Sequence, residues 1–301
     1  MRTVLLAAAF MLWSAAASAL CPVQSPAAPQ DLPLPSVPST LRQPADRAAY
    51  VICHFWDGLD FSDTARSRER TFMEQNFSTF VSVFPHASDQ ARRQAVSTLL
   101  HKAEADAEAY ALLADIAEKY LYEPESPVYS EEFYALFLEH FAVSDILGPY
   151  GTIRPRWQLE AVRKNRPGTI AADIRFTGRD GREGTLGQIE APRLLLIFYD
   201  PDCDHCREVV SSLQGDPVLS RLCKSGRLKV LAVYSGDERK LWADTAPSLP
   251  AEWIVGFEPG LIYERGTYVL RRMPTLYLLD SDKRVLLKEP SPGELLSYLS
   301  R

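Results

Sequence analysis

Apolar residues change their spacing twice along this chain, and each change marks a region. After Arg2, Val4 to Trp13 is an apolar run too short to cross a membrane. From about Asp46 to Arg166 apolar positions recur every three or four residues. Phe77, Phe80, Val81 and Phe84 form one such series, Tyr110, Leu113, Ile116 and Tyr120 another, and Phe133, Phe137 and Phe141 a third. That period lays apolar side chains along one face of a helix, so a small helical bundle is predicted. Ser88-Asp89 reads as an N-cap with helix behind it, while Pro124, Pro127 and Gly148-Pro149 read as breaks.

After Pro167-Gly168 the period becomes that of strands. Residues 170–176 and 183–186, joined through Gly178-Arg179-Asp180-Gly181, predict a hairpin. Leu194 to Tyr199 is continuously apolar, as a strand buried on both faces requires. Helices are predicted over 203–213 and 217–223, a second buried strand over 228–234 and a short helix over 238–244. A second hairpin over 275–288 and a closing helix over 291–299 complete the order. Strand–helix–strand, then hairpin, then helix implies a mixed sheet covered by helices on both faces. The predicted organisation is therefore an all-α N-terminal domain (45–166) followed by an α/β domain (167–301).

The start of the chain carries an address. Arg2, the apolar run and Ala17-Ser18-Ala19 form a signal-peptide pattern over residues 1–19, with cleavage after Ala19. Periplasm or cell envelope is the expected location. Cys21 follows two residues later, so a lipid anchor at Cys21 is an alternative, although Leu20 stands where a lipobox takes Gly, Ala or Ser. Residues 20–44 are rich in Pro, Ser and Ala and read as an extended tether. The 301 residues suffice for two cores. A net charge of −6 without long like-charge runs argues against nucleic acid and anionic lipid surfaces as partners.

Five cysteines are present: Cys21, Cys53, Cys203, Cys206 and Cys223. Only Cys203-Asp204-His205-Cys206 forms a motif, and it falls where the buried strand gives way to a helix. There the first sulfur meets unpaired backbone N–H groups and the positive end of the helix dipole, which favour a thiolate. The second sulfur, one turn on, is placed to resolve a mixed disulfide. A protonated His205 would stabilise the Cys203 thiolate, whereas Asp200 and Asp202 would oppose it. The direction of electron flow stays open on these residues. A structural disulfide and a zinc site are the competing readings. The short loop weakens the first, and the lack of a second ligand pair weakens the other. No cofactor beyond a redox-active Cys203–Cys206 disulfide is expected.

Leu194 to Glu208, taken with Met273-Pro274-Thr275-Leu276-Tyr277-Leu278-Leu279-Asp280, resembles the thioredoxin-like family and, within it, envelope thiol–disulfide oxidoreductases of the TlpA type. The resemblance implies a cis bond between Met273 and Pro274, packed against the two sulfurs, with the Met273 backbone free to pair with an extended substrate. It implies that Cys203 attacks, Cys206 resolves, and Met273, Pro274 and Thr275 form the loop that positions the partner. The implied partners are protein thiols and disulfides of the envelope, together with an upstream redox donor. Asp202 stands where Trp is common, His205 where Pro is common, and Ile197 where thioredoxins proper keep a buried Asp. A thioredoxin-fold binding module with a permanently oxidised pair is the alternative function.

Cys53-His54-Phe55-Trp56-Asp57-Gly58-Leu59-Asp60-Phe61-Ser62-Asp63 resembles the signature of an uncharacterised helical module found ahead of thioredoxin-like domains in Gram-negative envelope proteins. Asp57, Asp60 and Asp63 are three residues apart, which suits capping and turns better than a cation site. Cys53 and Cys223 read as small buried hydrophobes.

Overall fold

A computed structural model describes residues 31–301. The leader, the candidate cleavage site and Cys21 lie outside the described residues. Residues 32–43 run without helix or strand, as their prolines dictate, yet they are not a free tether. Leu32 is buried, and its N–H donates to Asn76 Oδ1 at 2.8 Å.

The N-terminal region is helical throughout: α1 (Pro44–His54), α2 (Thr64–Ser67), α3 (Arg70–Ser82), α4 (Asp89–Ala103), α5 (Ala107–Leu121), α6 (Glu131–Phe141), α7 (Gly148–Gly151) and α8 (Ile153–Arg163). Its helix starts follow capping chemistry. Side chains of Asp63, Glu69, Ser88, Asp106 and Ser130 accept first-turn N–H groups of α2 to α6 respectively. The three periodic series converge on one core in which Phe80 meets Phe84 edge-on at 4.9 Å and Phe77 lies 5.4 Å from Phe137.

The second region holds a seven-stranded sheet in the order β2-β1-β5-β4-β3-β6-β7. Its elements are β1 (Arg175–Gly178), β2 (Glu183–Thr185), β3 (Arg193–Phe198), α9 (Asp204–Gly215), α10 (Pro217–Lys224), β4 (Lys229–Ser235), α11 (Arg239–Thr245), β5 (Ile254–Glu258), α12 (Leu261–Arg265), β6 (Thr275–Asp280), β7 (Val285–Lys288) and α13 (Pro292–Leu299). Strands β3, β4 and β5 run parallel, and the other neighbours antiparallel. Alternation along β3 splits the interior in two. Leu195 and Ile197 pack with α9, α10, α11 and α13, while Leu194, Leu196 and Phe198 pack with Ile262 of α12 and Tyr268. The sheet is thus mixed and covered on both faces.

Strand β5 and helix α12 are additions to the elements predicted above. β5 is only five residues long and interrupted by Gly256, so it carries a weak periodic signal. Gly256 has a structural reason. The Phe176 ring of β1 lies over it so closely that a Cβ there would approach Phe176 Cδ2 to 2.7 Å.

Candidate functional site

Strand β3 delivers the chain into a short loop, Tyr199 to Asp202, whose first N–H still bonds to Val233 O of β4 at 3.0 Å. Asp200 Oδ1 accepts the N–H of Asp202 at 2.9 Å, which tightens the turn into Cys203. Cys203 is the N-cap of α9, in extended backbone conformation, and its Sγ accepts the N–H of Cys206 at 3.4 Å. Cys206 lies one turn inside, 1% exposed, and its Sγ accepts the N–H of Asp200 at 3.5 Å. Both residues are free thiols in this structure. The two sulfurs therefore differ in kind. Cys203 is part-exposed at a helix start. Burial pushes the Cys206 thiol up to about 12, and the neighbouring Cys203 adds to the rise against the Asp200 N–H.

The remaining predicted site residues are spread around this pair. His205 is exposed, with Nδ1 3.9 Å from Glu208 Oε2. Asp202 is exposed, and Asp204 pairs with Arg207 on the outer face of α9. Met273–Pro274 is a cis peptide, and Met273 packs against the cluster that contains Cys203, Cys206 and Val209. Thr275 is buried opposite Phe198, and its hydroxyl donates to Arg272 O at 2.5 Å. The Met273 backbone makes no hydrogen bond with the rest of the described chain. An open cavity of about 370 Å³ adjoins the loop, lined by His205, Val209, Met273 and Pro274.

The candidate cation site in the helical domain dissolves into separate local roles. Asp57 Oδ1 accepts from Lys102 Nζ at 2.6 Å, Asp60 from the Ser62 hydroxyl, and Asp63 caps α2. No group of three metal-ligating side chains gathers among the described residues. Cys53 and Cys223 are half-buried, and burial raises both thiols.

A second constellation joins the two regions immediately ahead of the proline loop. Arg271 donates to Tyr122 O at 2.7 Å, to the Tyr129 hydroxyl at 2.7 Å and to Glu131 Oε1 at 3.0 Å. Its guanidinium lies 3.9 Å from the centre of the Tyr122 ring and 3.6 Å from Glu289 Oε2. Lys288 Nζ pairs with Glu131 Oε2 at 2.6 Å and donates to Lys164 O at 2.9 Å. Burial, reinforced by Glu131, raises the Glu289 carboxyl above its ordinary 4.5, against the pull of Arg271. The sequence alone does not reveal this cluster, because its hydrogen-bonded members stand up to 149 residues apart and belong to no motif. The pair of arginines directly before Met273-Pro274 is the one local hint.

Comparison with known proteins agrees with both regions. Residues 15–165 match the family described as a domain of unknown function, DUF5106. The crystal structure of a thioredoxin-like protein from Bacteroides caccae is 34% identical, covering 90% of this chain and 98% of its own, with a TM-score of 0.84. The C-terminal domain of an uncharacterized protein from Bacteroides fragilis is 36% identical over 46% of this chain and 99% of its own, with a TM-score of 0.45. The thioredoxin domain of a thiol-disulfide oxidoreductase from Bacteroides vulgatus is 16% identical over 45% of this chain and 96% of its own, with a TM-score of 0.40. No curated protein matches. The B. caccae likeness spans both regions at once, and it carries the assignment together with the sheet order, the capped Cys203 and cis-Pro274. The chain belongs to the thioredoxin-like family, in the form that places a DUF5106 domain ahead of the α/β domain.

Proposed function

We propose that this protein is an exported thiol–disulfide oxidoreductase acting on envelope polypeptides through Cys203 and Cys206. The observation that carries the reading is the asymmetry of the two sulfurs: one capping a helix at the surface, the other buried one turn behind it. Export draws its support from Arg2, the apolar run and Ala17-Ser18-Ala19.

In the reducing direction the Cys203 thiolate attacks one sulfur of a partner disulfide. A Cys203–partner S–S bond forms, the partner S–S bond breaks, and the departing sulfur leaves as a thiolate that takes up a proton. Cys206 then loses its proton and attacks Cys203 Sγ. This closes the Cys203–Cys206 disulfide and releases the second partner thiol. The partner gains two electrons and the pair loses two, which an upstream dithiol protein must restore. The oxidising direction is the same sequence reversed. The high affinity of Cys206 for its proton suits a group that attacks only after the mixed disulfide has formed.

The test is trapping. A Cys206→Ala variant exposed to envelope proteins should accumulate mixed disulfides through Cys203, mapped by mass spectrometry. Absence of any such adduct in both oxidising and reducing buffers would overturn the reading. A reduction potential below about −300 mV would instead mark an inert structural bond.

A further inference from the structure

The lining of the cavity beside cis-Pro274 includes Glu125, which belongs to the loop between α5 and α6 of the helical domain. A larger depression of about 850 Å³ shares Arg272, Glu289, Pro290 and Ser291 with it. This second space runs between the same helical loop, at Pro124, Pro127 and Tyr129, and α13, at Ser297 and Tyr298. The two form one trough that starts at the proline loop and follows the domain seam.

We propose that this trough holds an extended polypeptide segment flanking the partner's reactive cysteine, and that the helical domain supplies one of its walls. The proposal rests on the exchange reading above and adds what kind of partner the site takes. Several observations converge on it. The larger part alone, at about 850 Å³, is near the upper end of the roughly 300–1,000 Å³ that small-molecule pockets span, and the part at the proline loop adds about 370 Å³, so a small thiol would leave most of the trough to water. Met273, whose backbone is unpaired among the described residues, lines its near end, where an added strand would find its first hydrogen bonds. Prolines and tyrosines on both walls present area that loses little conformational freedom on binding.

The wall is also held in place. Arg271 ties the Tyr122–Glu131 stretch to the residues just before cis-Pro274. The B. caccae likeness, which covers 90% of this chain at a TM-score of 0.84, spans the helical and α/β regions together. At the junction of the two cavities Glu289 is 6% exposed, its Oε2 makes no hydrogen bond, and its φ is +50°. A non-glycine residue kept in left-handed backbone beside a site is strain that the surroundings must impose. On the rim, Glu125 is exposed and forms no ion pair among the described residues, while Arg272 donates to Glu289 O at 2.9 Å and its charge acts on the Glu289 carboxyl.

The experiment compares two disulfides, insulin and dithiobis-nitrobenzoate, and reads the ratio of their rates. Glu125→Arg alters the wall from the helical domain and Ser297→Trp obstructs the wall from α13. Both positions are exposed, so both variants should fold. Each is expected to lower the insulin-to-small-disulfide ratio by about tenfold. A second readout needs no groove variant. In the Cys206→Ala chain with a cysteine peptide trapped on Cys203, hydrogen exchange should slow over 122–130, and it should not slow when glutathione is trapped instead. An unchanged ratio in both variants, or protection confined to α9 and 271–276, would overturn the trough while leaving the exchange reading intact. No exchange with either disulfide in the unaltered chain would sink the exchange reading, and the trough with it.

Discussion

The thiol site and the domain seam meet at residues 271–275 but are built in opposite ways. The thiol site is local: Asp200 to Cys206 places two sulfurs within one helical turn, and its bonds span three and six residues. It keeps one sulfur, that of Cys203, part-exposed. The seam is nonlocal: Glu131 meets Arg271 across 140 residues, and its charges are sequestered. Under the proposed exchange function, a local site tolerates a polar, half-open setting because its sulfur must meet a partner. A buried charge cluster is stable only when every member keeps its partner. On the proposed function, chemistry and alignment fall to different parts of one molecule, and substitutions should separate them.

The largest effect is expected at the thiol site. Cys203→Ser should abolish exchange with any disulfide while leaving urea denaturation essentially unchanged, since the residue is part-exposed and its oxygen can still cap α9. Loss of stability instead would mean that the sulfur is structural. Next comes Arg271→Ala, which strips Glu131 and Glu289 of their shared guanidinium. A cost of about 3–5 kcal/mol in urea denaturation is expected. A cost below about 1 kcal/mol would show that the seam charges are already solvated.

Glu289→Gln reads the same cluster through pH. The carboxyl's folded pKa lies above its ordinary 4.5, so folding takes up a proton between the two values. Its stabilisation is complete below 4.5 and is lost as pH rises through the folded value. The variant should therefore gain on the parent as pH climbs from 4.5 to neutral, measured by thermal denaturation at each pH. A constant difference would break the argument.

The smallest effect is expected at Asp57, whose carboxyl is lowered by its bonds to Lys102 and then His54. Its sign is opposite: stability is present above the ordinary carboxylate pKa of 3.8 and is lost on acidification through the lowered value. Because the Asp57 side chain is about half exposed, Asp57→Asn should cost only about 0.5 kcal/mol at neutral pH and low salt, and less in high salt.

Much of the architecture was legible because local periods encode it. Phe77, Phe80 and Phe84 announced a buried helical face, and the run from Leu194 to Tyr199 announced a central strand. Cys203 and Cys206, placed after that strand, mark the candidate site by their spacing alone. Strand β5 escaped notice because Gly256, needed beneath Phe176, interrupts its pattern. Leu32 escaped because the prolines around it say only that the backbone is extended, not what it packs on.

By itself the sequence determined the two classes of domain, the helix starts and the spacing of the sulfurs. All of these follow from interactions between residues a few positions apart. Only the tertiary structure decided that Arg271 reaches Tyr122, Tyr129 and Glu131, that Glu289 is buried beside them, and that a helical loop borders cis-Pro274. A charged side chain reads the same on a surface or in a seam, and its partner is chosen by how the chain folds back, not by its neighbours in sequence.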